Sequence, residues 1–412
     1  MTKQSAALHV ALVGTRGVPA RYGGFETCVE EVGSRLASRG HRVVVYCRST
    51  GDETVRERHD GMELVHLPAL HRRSLETVSH TGLSVAHLAR HRTDVAVVFN
   101  AANAPWLPAI RASNIPVATH VDGLEWLRSK WGPSGRRYYR AAEALAVRWS
   151  DAVIADAPGI ADYYLAEFGA RTELISYGAP IIRPGHDRLE ELGLTLRGYH
   201  LVVARFEPEN HVHTILEGYR RRAARLPLVV VGSAPYADRY TAHLHRLGDD
   251  RVRFLGGVWD HDLLDQLYAG CYSYAHGHSV GGTNPSLLRA IGAGAPCLAF
   301  DVSFNRDVLG DTGSYFRSGA DVREALERAE QDPAGQRARG EATRERARTY
   351  SWDDVADSYE ELCRRLVAGP LSPRPSGRRR PGLGRPAVTS SGLPRRDTTS
   401  AAPGRGSRPS RA

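Results

Sequence analysis

The stretch LHVALVGTRGVPARYGGFETCVEEVGSRLASRG, residues 8–40, decides how the rest of the chain is read. Leu8–Val13 has the apolar character of a buried strand, and a glycine-rich loop opens at Gly14. Phe25, Val29, Val32 and Leu36 then recur at roughly helical spacing until Gly40 stops the pattern. A second β-branched run, Arg42–Cys47, follows at once. Strand, loop, helix and strand in so short a span form a βαβ unit, which requires a parallel sheet.

Further strands fit at Leu64–Leu67, Val95–Phe99, Val117–His120 and Ala152–Ala155. The alternation breaks over Ile182–Gly198, where Pro184 and Gly185 fall. It restarts at Tyr199–Arg205 and continues through Leu228–Val231, Val252–Leu255, Tyr272–Ala275 and Cys297–Phe300. The expected class is α/β, with two Rossmann-like domains, residues 1–183 and 184–350, facing across a cleft. One more amphipathic helix, within residues 351–367, carries Trp352, Val355, Tyr359 and Leu362 on one side. The remainder, residues 368–412, is rich in Arg, Pro, Gly and Ser and has the composition of a disordered tail.

A chain of 412 residues with 42% hydrophobic and 25% charged residues has ordinary globular composition. Its longest apolar runs, such as Leu228–Val231 and Val95–Phe99, are far short of the roughly 20 residues that cross a bilayer. Ala6–Val13 runs into the turn at Gly14 and does not resemble a secretory signal. A cytoplasmic protein is expected, at most peripheral to the inner membrane face through its basic tail. The net charge of +9 belongs to that tail: ten of 55 basic and one of 46 acidic residues lie from Pro370 onward, which leaves the body balanced. A specific nucleic-acid partner is therefore not expected. The five cysteines (28, 47, 271, 297 and 363) show no CxxC spacing, which argues against a disulfide framework or a zinc site.

The segment Gly281-Gly282-Thr283-Asn284-Pro285-Ser286-Leu287-Leu288 carries the clearest chemistry. Asn is a preferred N-cap and Pro is favoured at the first helical position. The glycines admit a ligand to the backbone, and the helix N-terminus behind them favours a phosphate. A capped helix with nothing bound would show the same residues. Arg205 ends the first strand of the second domain, where ligands of doubly wound sheets gather, and its planar fork of donors suits a diphosphate. A surface ion pair with Glu207 or Glu209 is the alternative. The loop Gly14–Glu26 lacks GxGxxG spacing, so a dinucleotide site is not supported. Asp260-His261-Asp262 precedes the apolar run Leu263–Ala269 and reads as a helix cap, with no metal expected.

The runs GTRGVPARYGGFETCVEEV, DGLEW, ARFEPENH and HSVGGTNPSLLRAIGAGAP together resemble the retaining glycosyltransferases of family GT4, over about Leu8–Leu366. The likeness is greatest to the bacterial subgroup that includes rhamnosyltransferases of surface-polysaccharide synthesis. It implies a GT-B fold with the donor nucleotide-sugar on the C-terminal domain, the acceptor on the N-terminal one and the last helix crossing back. The implied reaction moves a hexosyl or deoxyhexosyl group, rhamnosyl included, to a glycan, lipid-linked or small-molecule acceptor with retention. No cofactor beyond the nucleoside-diphosphate sugar is implied.

On the matching positions, Arg205 would hold the donor diphosphate, with Gly282, Thr283, Asn284, Ser286 and Leu287 around it and Gly23 and Gly24 closing from the other domain. Asp122 and Glu125 would lie near the acceptor and the transferring sugar. His120 is a further candidate, although a lone His at a strand end is more often structural. Of His276 and His278, which flank the phosphate loop, His278 is taken as the donor-binding one.

Three positions depart from the family pattern. Asn210 stands where many members have Lys, and Gly281 and Arg289 stand where they have paired Glu. Arg289 cannot accept a hydrogen bond from the donor ribose, a loss that a thymidine-diphosphate donor would feel less than a uridine one. A non-catalytic homologue or a sugar-nucleotide epimerase are the rival expectations.

Overall fold

The computed structural model describes residues 6–20, 23–49, 56–70, 76–121, 123–183, 185–220, 224–233, 238–369 and 375–380. The first domain is built on strands β1 (His9–Val13), β2 (Arg42–Arg48), β3 (Arg58–His59), β4 (Met62–Leu67), β5 (Val95–Phe99), β6 (Val117–Val121), β7 (Ala152–Ala155) and β8 (Glu173–Leu174). Their order across the sheet is β3-β4-β2-β1-β5-β6-β7-β8. All neighbours are parallel except β3, which pairs antiparallel with β4. Helices α1 (Gly24–Ser38), α2 (Glu76–Arg90), α3 (Leu107–Ala112), α4 (Pro133–Trp149) and α5 (Pro158–Phe168) connect and cover it. The central strands β5 and β6 are buried along their whole length, as helices on both faces of a parallel sheet demand.

The second domain contains β9 (His200–Val203), β10 (Leu228–Val231), β11 (Val252–Gly256), β12 (Ser273–His276), β13 (Cys297–Phe300) and β14 (Ser314–Phe316). They lie in the order β11-β10-β9-β12-β13-β14, all parallel. Its helices are α6 (Val212–Tyr219), α7 (Asp238–Leu247), α8 (His261–Gly270), α9 (Pro285–Gly292), α10 (Ser303–Leu309), α11 (Gly319–Gln331) and α12 (Pro333–Ala347). Strand β9 ends at Val203, so Arg205 stands in the loop beyond the strand and not on its last residue.

The strand order reverses between β1 and β5 in one sheet and between β9 and β12 in the other. Such switch points open crevices at the carboxyl ends of the strands. Helix α13 (Trp352–Ala368) starts at the N-cap Ser351 and packs against α1 of the first domain, so the end of the chain crosses back. Ion pairs of Arg35 with Asp353 and of Arg39 with Glu360 fasten its exposed side. Its buried stripe includes Trp352, Val355, Tyr359 and Leu362.

Six residues of the Arg/Pro-rich tail, 375–380, are described and rest on the first domain. Arg379 inserts between α4 and α5, where its Nη2 donates to Glu143 Oε2 at 2.8 Å and its Nη1 meets Glu167 and the Tyr163 hydroxyl. Composition averaged over the tail hides one arginine that meets a buried carboxylate. The rest of the tail lies outside the described residues. No helix among the described residues is long and apolar enough to cross a membrane, and all five cysteines are buried free thiols.

Candidate donor and acceptor cleft

Helix α9 begins as its sequence dictates. Asn284 accepts from the Ser286 amide at 2.9 Å, and Pro285 occupies the first turn. The segment before it comes from the end of β12 at the switch point, and the first domain closes tightly over it. Thr283 Oγ1 donates to the Asp156 carbonyl across the cleft at 2.8 Å. A Cβ on Gly24 would lie 3.1 Å from Pro285 Cγ, and a Cβ on Gly123 would overlap the backbone of Gly281. Glycine at these two places lets the domains meet around the start of α9. Gly23 is the N-cap of α1, with φ 115, a conformation that other residues adopt only under strain.

His278 is fixed in one tautomer by its neighbours. The Asn210 amide donates through Nδ2 to the Arg205 carbonyl at 2.8 Å, so its Oδ1 faces His278 Nδ1 at 2.8 Å. His278 therefore carries its proton on Nδ1 and presents Nε2 toward Gly281. Burial, with His276, Arg128 and Arg205 nearby, holds its pKa well below the usual value, so the ring is neutral. The main-chain carbonyl of His278 is in turn held by Asn305 Nδ2 at 3.0 Å.

Arg205 is half exposed, and its anionic partner among the described residues is Glu207 at 3.9 Å. The sequence allowed a diphosphate ligand or an ion pair here, and the distance makes the pair a loose one. Arg289 binds Asp265 of α8 through Nε at 2.5 Å. Ser286 stands at the first turn of α9 with its amide held by Asn284, and burial pushes the pKa of the Tyr268 hydroxyl up to about 12. Leu287 is fully buried in the core and Gly282 sits against Asp156, so both contribute main chain alone.

On the first domain, His120 lies in β6, fully buried among Phe25, Phe99 and Tyr177. Its Nδ1 meets the Tyr359 hydroxyl of α13 at 2.7 Å, and its Nε2 has no hydrogen-bond partner among the described residues. Burial lowers its pKa to about 3, so it is a neutral ring at any physiological pH. Glu125 is wholly engaged within its own loop. Its Oε2 lies 2.5 Å from Arg128 Nε and its Oε1 lies 2.9 Å from Lys130 Nζ. Burial alone would raise this carboxyl, but Arg128 and Lys130 outweigh it and hold the pKa below the usual value. An ionised carboxylate with both oxygens taken anchors cations and has no proton to give. Asp122 lies outside the described residues.

Sequence reasoning passed over the rest of the loop that Glu125 belongs to. Arg128 is buried and reaches Glu207 across the cleft at 3.8 Å, and Ser129 Oγ donates to Glu209 Oε2 at 2.7 Å. The available signal was the alternation of charge and Trp in Glu125-Trp126-Leu127-Arg128-Ser129-Lys130-Trp131, unusual for a plain surface turn. Asp260 is the N-cap of α8, accepting from Leu263 N at 3.1 Å, and it also binds Arg188. Glu30, His59 and Asp60 have metal-compatible spacing, but they involve the edge strand β3 and not the carboxyl-end crevices.

Comparison with known proteins agrees with this architecture. The family profile for the glycosyl transferase 4-like domain matches residues 23–178, and that for glycosyl transferases group 1 matches residues 196–346. The chain is 28% identical over 131 residues to the O-antigen chain mannosyltransferase B of Escherichia coli, a match covering 30% of this chain and 34% of that protein. It is also 28% identical over 117 residues to the GtfA subunit of the UDP-N-acetylglucosamine–peptide N-acetylglucosaminyltransferase of Streptococcus gordonii, covering 27% of this chain and 22% of that one. The chain thus spans about a third or less of the length of these curated relatives. Among solved structures, Anabaena HepE in complex with UDP superposes with a TM-score of 0.69 at 17% identity, covering 87% of this chain and 100% of that one. Sucrose-phosphate synthase of Thermosynechococcus elongatus superposes with a TM-score of 0.75 at 21% identity, covering 88% and 99%.

Proposed function

From the membership of this chain in the GT4 family of glycosyltransferases, with a GT-B fold, we propose that it moves a glycosyl group from a nucleoside-diphosphate sugar to an acceptor held by the first domain. The observation that carries this reading is the convergence at α9: a capped helix start, ringed by close backbone from both domains, lies at one switch-point crevice and faces the other. The positive end of the α9 dipole and the Arg205 guanidinium meet a leaving diphosphate with fixed positive charge. The closed cleft keeps out water that would hydrolyse the donor.

Neutral His278 offers Nε2 as an acceptor for a donor hydroxyl. The unpartnered Nε2 of His120 is supported as a second polar contact, facing the transferring sugar or the acceptor. Glu125 acts by holding Arg128 and Lys130 in the cleft. Relatives named for sugar transfer to O-antigen and to peptide, and neighbours bound to UDP and UDP-glucose, support a nucleotide-sugar donor. A hexosyl or deoxyhexosyl group, rhamnosyl included, transferred with retention is the finer reading.

The test is a panel of uridine, thymidine and guanosine diphosphate sugars, read by thermal stabilisation and by release of nucleoside diphosphate with acceptor present. Stabilisation without release under any acceptor favours the non-catalytic homologue. Absence of both rejects the donor site.

A further inference from the structure

We propose that Tyr359, on the helix that crosses back from the second domain, is a positioning residue: with Cys28 behind it, Tyr359 holds His120 in the tautomer that carries its proton on Nε2, so that the ring meets a transferring sugar as a hydrogen-bond donor. This rests on the contact of His120 Nε2 proposed above and adds what sets its direction. Three buried groups stand in line. Cys28 Sγ lies 3.6 Å from the Tyr359 hydroxyl, and that hydroxyl lies 2.7 Å from His120 Nδ1. His120 Nε2 has no hydrogen-bond partner among the described residues. The three side chains come from α1, α13 and β6, and none is more than 1% exposed.

Counting protons fixes the direction of the two bonds. Burial pushes the Cys28 thiol up to about 12, raises the Tyr359 phenol well above its usual value and keeps His120 neutral. Each group therefore carries one proton. The Tyr359 hydroxyl can give its proton to His120 Nδ1 or to the thiol. An imidazole nitrogen at 2.7 Å is a good acceptor, whereas a thiol sulfur at 3.6 Å is a weak one. Cys28 then donates to the phenolic oxygen, Tyr359 donates to Nδ1, and each bond polarises the next. Nδ1 is the acceptor, so the N–H of His120 is on Nε2. His278 has the opposite tautomer, with its proton on Nδ1 and a bare Nε2. The cleft thus holds one histidine that accepts and one that donates. Tyr177 touches the His120 ring at 5.6 Å between centroids and lies 3.4 Å from a Cβ built on Gly24, where Gly24 meets Pro285. That puts His120 beside the start of α9. A buried N–H without an acceptor is unfavourable, and a sugar hydroxyl oxygen entering the cleft relieves it. Because Tyr359 belongs to α13, the tautomer depends on that helix being docked on α1.

Nitrogen NMR of the full chain, labelled at histidine, reads the tautomer directly, with the His120 signal identified by its loss in His120→Phe. The wild type should show His120 protonated on Nε2 and bare on Nδ1. A proton on Nδ1 overturns the inference, and this arm needs no folded Tyr359 variant. Tyr359→Phe keeps the ring and removes the hydroxyl, so the His120 signal should move toward a mixture of tautomers. Calorimetry should then show uridine, thymidine and guanosine diphosphate sugars bound several-fold more weakly, with UDP and TDP affinities unchanged. In the His120→Phe background, Tyr359→Phe should cause no further loss, whereas a packing role would weaken binding equally in both backgrounds. Equal loss in both, or an unchanged tautomer and affinity in a folded Tyr359→Phe, overturns the inference while leaving the donor site intact. Failure of the wild type to bind any nucleotide-sugar rejects the donor site instead, and the wild-type spectrum then judges the tautomer by itself.

Discussion

Arg379 and Arg128 each meet two glutamates inside the first domain or at its edge, and the two sites differ in how fully those glutamates are satisfied. At the Arg379 site, Glu143 Oε2 accepts from Arg379 at 2.8 Å and from the Tyr163 hydroxyl at 2.9 Å. The guanidinium also donates to the Arg140 carbonyl and lies over the Phe168 ring at 4.7 Å. Glu143 has almost no exposure, 4% of its side chain, and every charge is matched at hydrogen-bond distance. At the Arg128 site, Glu125 Oε2 lies 2.5 Å from Nε, but Glu207 Oε2 stays 3.8 Å from Nη1 and accepts no hydrogen bond among the described residues. A matched buried pair holds a structure together, whereas a loose one beside a crevice can exchange its partner for a ligand.

The sharpest way to break this contrast is to remove Arg379. Deleting one partner of a buried ion pair leaves an uncompensated charge, a cost of roughly 3–5 kcal/mol. The Tyr163 bond survives, so about 3 kcal/mol is expected for Arg379→Ala. A thermal melt should show Tm lowered by several degrees, with nucleoside-diphosphate affinity unchanged. Truncation before Pro370 should reproduce that loss, and truncation after Arg380 should not. The deficit should also depend on pH. Burial raises the Glu143 carboxyl, against the opposing pull of Arg379 and Tyr163. A carboxyl raised on folding favours the protonated native state, so its contribution is present at low pH and lost as pH rises through the folded pKa. Without Arg379 the pKa rises further, and the variant's deficit should be larger at about pH 8 than at about pH 5. A deficit that grows on acidification would mean that Glu143 is not the residue responsible.

The reverse pattern is expected at the crevice. Arg205 is half exposed and paired only loosely, so Arg205→Ala should leave Tm within a degree or so of wild type. Two charge-assisted hydrogen bonds to a diphosphate would disappear, which predicts about a hundredfold weaker UDP and TDP binding by calorimetry. Wild-type affinity in this variant would return Arg205 to the role of a surface ion pair.

How much of this was legible in the sequence depends on range. The cap at Asn284-Pro285, the strands of both sheets and the apolar stripe of α13 are local patterns, and the structure carries them nearly where the residues place them. The short strands β3, β8 and β14 escaped, since two or three residues cannot display a period. The pairing of Arg379 with Glu143 joins residues 236 apart in the chain, and composition around Arg379 describes only a tail. Glu125 was expected near the substrate for a different reason, since the partners that occupy its carboxylate are only three and five residues away. Spacing names the neighbours of a side chain on a helix or strand, but in a loop the direction of each side chain is set by contacts across the cleft.

The smallest expected effect is at Arg289, where the sequence shows the loss of a hydrogen-bond acceptor for the donor ribose and a glutamate would restore it. Asp265 changes that expectation. Its Oδ1 lies 2.5 Å from Arg289 Nε, and both side chains are partly exposed. Arg289→Glu would replace this ion pair with two facing carboxylates, which repel and favour protonation of one of them. The new acceptor for a ribose hydroxyl would then be offset by a carboxylate displaced toward solvent or neutralised. Exposed pairs of this kind contribute roughly 0.2–1 kcal/mol, so UDP and TDP affinities should move by less than about fivefold. The double variant Arg289→Glu, Asp265→Asn removes the repulsion and leaves the acceptor. If Glu at this position can serve the ribose, the double variant should bind UDP more tightly than the single one, and the gain for TDP should be smaller because it lacks the 2′-hydroxyl. Equal gains for the two nucleotides would place residue 289 away from the ribose and leave the Arg289–Asp265 pair as a link between α8 and α9 alone.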